Sequence, residues 1–309
     1  MNPTRTYIVT GGNAGLGLAY VRALAKDDAN LVVVACRDVR RGETAASELR
    51  ASGAHVRVLA LDLADLASVR AFPDAYRSAG LPPLVGLVCN AGVQGNDTPV
   101  RTRDGYEATF GVNHLAHYLL ARTMLKDLEA GGRIVFVASN THDPATKTGM
   151  PEPRYVGTEA LAWDSGTGAK SGQRRYTTSK LCNIYCAYEM ARRLERSSDP
   201  QLHSLRVNAF DPGMVPGTGL ARSYPAPLRF AWSYVLPVLT LFQENVNRPR
   251  SSADRLARLA SGGMGGLSGK YISMGRVEPS SPLSHDPANA AELWSASAAM
   301  VGLPDDIDD

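Results

Sequence analysis

Thr6-Tyr7-Ile8-Val9-Thr10-Gly11-Gly12-Asn13-Ala14-Gly15-Leu16-Gly17 decides how the rest of the chain is read. Residues 6–10 are a short β-rich run, and Leu18, Val21, Ala23 and Leu24 start a helical pattern just beyond the glycines. The order is strand, glycine turn, helix. Glycines let the backbone turn tightly and come close to a pyrophosphate, and the fresh helix N-terminus attracts negative charge. The spacing is G-x-x-x-G-x-G, which differs from the commoner G-x-G-x-x-G. Between a strand and a helix, this turn predicts a dinucleotide site.

The next strand, 31–36, is apolar throughout, as expected where both faces are covered. A carboxylate at its tip would hold a ribose 2′-hydroxyl and repel a 2′-phosphate. Here the tip reads Ala35-Cys36-Arg37, with Arg40 and Arg41 behind. Arginine pairs with phosphate through bidentate, charge-assisted bonds, so Arg37 favours NADP over NAD. Arg40 and Arg41 also fit the exposed face of the next helix.

Further strands are predicted at 56–61, 84–89, 133–138, 204–210 and 270–274, giving seven in all. Asp65 starts a helix, residues 104–128 read as a long helix interrupted near Gly111, and 253–259 and 288–300 read as helices. Asn113 inside the long helix is unfavourable there, and either lies at the surface, reshapes the helix or holds a water. Gly11, Arg37, Asn90 and Ser139 all fall at carboxyl ends of predicted strands, where open parallel sheets bind ligands.

Tyr176-Thr177-Thr178-Ser179-Lys180 opens another helical pattern. At this spacing the lysine lies one turn from the tyrosine. An ammonium there stabilises phenolate, which suits a tyrosine for proton transfer near neutral pH. Alone, the pair recurs by chance on many surfaces; its weight comes from the strands and turns around it. Segment 140–175 is expected to be a substrate-side loop, 214–247 an apolar lid, and 305–309 a frayed tail, within a single domain over 1–309.

Composition narrows the partners. Hydrophobic residues make up 44% of the 309 and charged residues 20%, enough for a large α/β core. A net charge of +3 gives no argument for nucleic acid. The four cysteines (Cys36, Cys89, Cys182, Cys186) lack zinc or disulfide-framework spacing and read as buried, reduced thiols. A strand this close to the start leaves no room ahead of it for a secretory leader, which points to the cytoplasm. The longest apolar stretch, 230–242, is broken by Pro237 and too short to span a bilayer. No metal site is expected, and the oligomeric state is open.

Taken together, these stretches resemble the short-chain dehydrogenase/reductase family over essentially the whole chain. The resemblance implies a Rossmann-type doubly wound sheet and a cofactor turn at Gly11, Asn13, Gly15, Leu16 and Gly17. Asp62 with Leu63 matches the adenine side, and Asn90-Ala91-Gly92 the sheet-stabilising Asn-Ala-Gly. It places Asn113, Ser139, Tyr176 and Lys180 as a catalytic tetrad, with Asn113 fixing a water that relays protons to Lys180. Pro212-Gly213 and Val215 match the nicotinamide-side turn, with Thr218 on the carboxamide. Ser139 and Tyr176 are 37 positions apart, longer than in simple members, so Thr141 rivals Ser139 for the substrate oxygen. Ala35-Cys36-Arg37, Asn113-His114-Leu115, Val88-Cys89-Asn90 and Ser179-Lys180-Leu181-Cys182-Asn183 resemble the retinol dehydrogenase and protochlorophyllide reductase branch. The implied activity is NADP-dependent hydride transfer to or from a bulky hydrophobic carbonyl or alcohol. The alternatives are light-driven C=C reduction of a protochlorophyllide-like tetrapyrrole, and a catalytically silent NADP-binding sensor or scaffold.

Overall fold

A computed structural model describes residues 2–213 and 249–309 of the chain. The segment expected to form a lid, together with Val215 and Thr218, lies outside the described residues. Strands β1 (Arg5–Thr10), β2 (Asn30–Cys36), β3 (His55–Ala60), β4 (Leu84–Cys89), β5 (Leu128–Val137), β6 (Arg206–Asp211), β7 (Lys270–Ser273) and β8 (Arg276–Val277) form one sheet in the order 3-2-1-4-5-6-7-8. Seven strands run parallel and β8 pairs antiparallel to β7. The eighth strand corrects the expected seven. It is two residues long, joined to β7 through Met274 and Gly275 at positive φ, and so carries no periodic pattern to read.

Side chains alternate across the strands into two cores, which is why the sheet residues read as unbroken apolar runs. Ile8, Val33, Leu87, Phe136 and Ala209 face one side, with α3 (Leu66–Ser78), α5 (Ala116–Thr123), α7 (Ser171–Arg196) and α10 (Pro287–Met300). Tyr7, Val9, Val34, Val135 and Phe210 face the other, with α1 (Gly15–Leu24), α2 (Val39–Ala51) and α9 (Pro249–Ala260). The strand order reverses between β1 and β4, which opens a crevice at their carboxyl ends. No helix among the described residues is long and apolar enough to cross a membrane.

Three expectations change. The helix predicted over 104–128 is in pieces: α4 (Ala108–Phe110), a π turn (Gly111–Leu115), α5 and a 3-10 turn (Leu125–Asp127), and Leu128 already belongs to β5. The 140–175 loop is structured and pinned. It contains α6 (Thr158–Ala162), and its last residues, from Ser171, belong to α7. Glu292 on α10 accepts hydrogen bonds from Tyr155 Oη and from Thr158 Oγ1 at 2.9 Å, while Thr178 Oγ1 on α7 accepts from Arg154 N at 3.0 Å. The acidic tail is docked: Ile307 is buried, Asp308 accepts from Ser198 N at 3.0 Å, and Asp305 O accepts from Trp294 Nε1 at 2.8 Å.

Trp294 is the centre of that docking. It meets Tyr118 edge-on at 4.9 Å, and the guanidinium groups of Arg122 and Arg193 each lie 4.9 Å from its ring centroid. Trp294→Ala should therefore lower unfolding stability by about 3–5 kcal/mol. In urea titrations the midpoint should drop with the slope unchanged; a loss under about 1 kcal/mol would mean the tail and helix close over the gap.

Candidate active site

The glycine turn is built by close approach. A Cβ on Gly17 would lie 2.3 Å from Gly11 O and 2.7 Å from Asn90 Nδ2, so only glycine fits. Asn90 Nδ2 donates to Thr10 O at 2.8 Å, and Thr10 Oγ1 accepts the N–H groups of Asn90 and Ala91 at 2.9 Å each. The turn after β1 is thus tied to the end of β4 at the crevice. α1 starts at Ala14, with no side-chain cap and no acid in its first turn. By contrast α2, α3 and α10 are capped by Asp38, Asp65 and Asp286. The first N–H groups of α1 therefore have no side-chain cap, a chemistry that suits an anion. Arg37, Arg40 and Arg41 are all exposed at the tip of β2 and the start of α2. Asp62 Oδ1 accepts from Ala64 N at 3.0 Å, and Leu63 is buried beneath it.

Asn113 lies in the π turn and is fully buried. Its Oδ1 accepts from Val93 N at 2.7 Å, and its Nδ2 donates to Val93 O and Ser179 Oγ, both at 2.9 Å. Ser179 Oγ in turn donates to Tyr176 O at 2.7 Å. Both amide hydrogens are used on protein, so the side chain staples the post-β4 loop to α7. The backbone carbonyl of Asn113 accepts from His117 Nδ1 at 3.1 Å. Any water at Asn113 would have to share that carbonyl.

His117 was not singled out in the sequence, although it stands four residues after Asn113. Because Nδ1 must be the donor to Asn113 O, Nε2 is the acceptor, and Thr10 Oγ1 donates to it at 2.9 Å. Burial pushes the ring down to about 4, which keeps it neutral. One imidazole therefore fixes the π turn against the cofactor turn.

Tyr176 and Lys180 lie one turn apart on α7, with Lys180 Nζ 5.6 Å from the centroid of the Tyr176 ring. Lys180 is only 3% exposed, and its Nζ donates to Val137 O at 2.9 Å. Burial pushes it down to about 8, with Asp211 acting in the opposite sense. A Cβ on Gly92 would stand 3.4 Å from Asn113 Oδ1 and 3.7 Å from Lys180 Nζ, which places Gly92 between the two.

Ser139 follows β5 directly, and its Oγ accepts from Thr141 N at 3.3 Å. Its hydroxyl proton is therefore turned away from that contact. Thr141 Oγ1 is buried with no partner among the described residues. Gly213, at φ +73°, closes the turn after β6 by donating its N–H to Asp211 Oδ1 at 3.0 Å.

The residue before the tyrosine was also missed. Arg175 is 7% exposed; it faces Glu107 at 3.4 Å and donates to Asn96 O at 2.7 Å, Asp97 O at 2.9 Å and Gly166 O at 2.8 Å. It gathers the loops on the open side of Tyr176. The structure thus brings the cofactor turn, Asn90, Gly92, Asn113, Ser139, Tyr176, Lys180 and Gly213 to one end of the sheet, while Arg37 and Asp62 extend that end toward β2 and β3.

Comparison with known proteins agrees with this fold. A family model described as short chain dehydrogenase matches residues 5–150. Protochlorophyllide reductase A, chloroplastic, of Oryza sativa subsp. japonica is 33% identical, in an alignment covering 96% of this chain and 80% of that protein. Among solved structures, an uncharacterized protein from Mycobacterium paratuberculosis superposes with a TM-score of 0.69 at 29% identity, over 97% of this chain and 96% of that one. An angucycline C-6 ketoreductase with bound NADP shares the fold at a TM-score of 0.63 and 22% identity, over 89% of this chain and 96% of that one. A glycine turn closed against Asn90, a buried lysine under a tyrosine and one-third identity over nearly the whole chain have a single common reading: the chain belongs to the short-chain dehydrogenase/reductase family, on the branch that includes the protochlorophyllide reductases.

Proposed function

We propose that the chain is an NADP-dependent oxidoreductase acting on a carbonyl or alcohol carbon of a bulky apolar substrate. The observation that carries this reading is the buried Lys180 ammonium, anchored on Val137 O and set against the Tyr176 ring beside the strand end that bears Ser139. The bound cofactor supplies or takes up the hydride. The uncapped start of α1 fits its pyrophosphate, Arg37 its 2′-phosphate, Asp62 and Leu63 its adenine, and Pro212-Gly213 its nicotinamide.

Tyr176 delivers the proton to the substrate oxygen, and Lys180 holds the cofactor ribose and favours the phenolate. Ser139 Oγ, already accepting from Thr141 N, points its proton toward that oxygen. Val93, 41% exposed beside Gly92, adds apolar surface at the mouth. A relative named for protochlorophyllide, a bulky pigment, supports a large apolar substrate.

That relationship also favours a second reading, C=C reduction of a protochlorophyllide-like tetrapyrrole. The thiols are the argument against it. Cys89 and Cys182 are 1% and 0% exposed, and burial pushes both up, so neither is placed to hand on a proton. A silent sensor is disfavoured because binding alone gives no use for a tyrosine set one turn from a buried lysine, the pair that suits proton transfer. Four buried, unpaired thiols support a reducing compartment.

Three outcomes follow from these roles. Tyr176→Phe should lower the reduction rate by about 10²- to 10⁴-fold with NADPH affinity nearly unchanged, measured by steady-state turnover and fluorescence titration. Retention of more than half the wild-type rate would remove Tyr176 from the chemistry. Arg37→Asp should weaken NADPH by roughly 10-fold or more and leave NADH close to wild type, since it replaces a phosphate partner with a like charge. An unchanged ratio of the two dissociation constants would make Arg37 surface decoration. A panel of large ketones, aldehydes and alcohols should turn over in the dark; conversion of protochlorophyllide alone, and only under illumination, would establish the second reading.

A further inference from the structure

The buried charges of the chain sort themselves into pairs, with two left over. Among the described residues, the buried carboxylates are Glu107, Glu189 and Asp211, and the buried cationic side chains are Arg175 and Lys180. Glu107 faces Arg175, and Glu189 binds Arg192 and Arg193. Among the described residues, Asp211 and Lys180 have no ion-pair partner within 4 Å. Both sit at the carboxyl end of the sheet. Asp211 ends β6 and Lys180 is tied to Val137 O at the end of β5, whose neighbour across the ladder is Phe210. Phe210 faces the α1 side, so Asp211, one residue on, faces the α7 side together with Tyr271.

We infer that Asp211 is a positioning residue of the active site: its buried carboxylate is the counter-charge that keeps Lys180 an ammonium, and it holds the Pro212-Gly213 turn in place. The inference rests on the function proposed above. Asp211 receives donors only. Gly213 N reaches Oδ1 at 3.0 Å and Ser273 Oγ reaches Oδ2 at 3.1 Å. Burial pushes the Asp211 carboxyl up, and these bonds oppose that by favouring the carboxylate. One of them comes from the turn expected to hold the nicotinamide, so the carboxylate ties that turn to β7.

The surrounding groups leave the pairing uncompensated. Lys180 is faced by Tyr176 on its own helix, by neutral His117 from α5 and by Asp211 from β6. Asp211 acts on Lys180 from α7, on Tyr20 from α1, on Tyr271 of β7 and on His142 after Ser139. His142 is held neutral: its Nδ1 donates to Ser139 O at 2.7 Å and its Nε2 accepts from Ser281 N at 3.0 Å. Removing the Asp211 charge therefore leaves Lys180, among the described residues, with no carboxylate to oppose its burial.

The test reads Lys180 itself. Lysine is labelled with ¹³C, the Lys180 signal is identified by its loss in Lys180→Met, and its titration is followed without cofactor. In the wild type the midpoint should lie at about 8. Asp211→Asn, which keeps the shape and removes the charge, should lower it by about one pH unit. Ser273→Ala, which loosens the carboxylate but keeps its charge, should leave it within a few tenths. An unmoved midpoint in Asp211→Asn, or an equal shift in Ser273→Ala, overturns the inference. Should the asparagine variant not fold, the reciprocal measurement decides: the Asp211 carboxyl midpoint should rise in Lys180→Met by the same amount, and an unmoved midpoint overturns the inference. In turnover, the alkaline limb of the pH profile of Asp211→Asn should move to lower pH, because the ammonium is lost earlier. Absence of NADPH binding in the wild type would end the proposed function while leaving the titration result to stand.

Discussion

The structure depends on holding one ammonium out of water. An isolated buried lysine would shed its proton or unfold its surroundings. Lys180 avoids both because the end of a parallel sheet offers it a carbonyl at Val137, the face of an aromatic ring at Tyr176 and a carboxylate one strand away at Asp211. Each depends on the others. The carbonyl is free because β5 ends there; the ring is in place because α7 runs across the sheet; the carboxylate faces α7 because β6 is in register with β5. A slip of one residue in that register would turn Asp211 to the other core.

A second set of contacts locks α7 to the cofactor side. It runs from Thr10 to His117, from His117 to the Asn113 carbonyl, from the Asn113 side chain to Val93 and Ser179, and so to the Tyr176 carbonyl. Thr10, Asn113, His117 and Ser179 in this chain are buried, and a break among them would strand a donor or acceptor at a cost of about 1–3 kcal/mol. The π turn is the geometric price of bringing Asn113 inward. An uninterrupted α-helix would place its amide elsewhere on the cylinder, and an amide in a helix interior gains nothing from the helix itself.

What could be read in the sequence was what local pattern encodes. The strand–glycine–helix opening, the apolar strands and the tyrosine–lysine spacing all show periodicity or turn chemistry within a few residues. So does Asp65, which caps α3 by accepting from its own next turn. What escaped is encoded across long distances. α7 starts at Ser171 because Asp97, far back in the chain, accepts from Lys170 N at 3.1 Å and Gly172 N at 3.0 Å; the local sequence there is glycine-rich and reads as loop. Likewise the 140–175 segment is fixed by Glu292, and the acidic tail by Trp294, Arg193 and Ser198, residues separated from their targets by whole elements. The candidate tetrad was named from its spacing and resemblance. Its supporting residues, His117, Arg175 and Asp211, had no pattern of their own, although Asp211 stands directly before the Pro212-Gly213 turn it holds.

Helix starts in this molecule are handled in two ways. Aspartates cap α2, α3, α8 (Pro200–Ser204) and α10, in each case by accepting backbone N–H groups of the first turn. α1, like α5, α6 and α7, has no side-chain cap; Ala14 stands at its N-cap, and a Cβ on Gly17 in its first turn would collide with Gly11 O. A carboxylate at its start would satisfy the same N–H groups and repel a phosphate, so stability of the isolated helix and binding of an anion are opposed there. At the tip of β2 the conflict is resolved differently. Asp38 would repel a 2′-phosphate, but its carboxylate is turned onto Arg41 N at 3.0 Å, and its sequence neighbours Arg37, Arg40 and Arg41 are all exposed. A phosphate bound at that corner would meet three cations and one aspartate already engaged by its own helix.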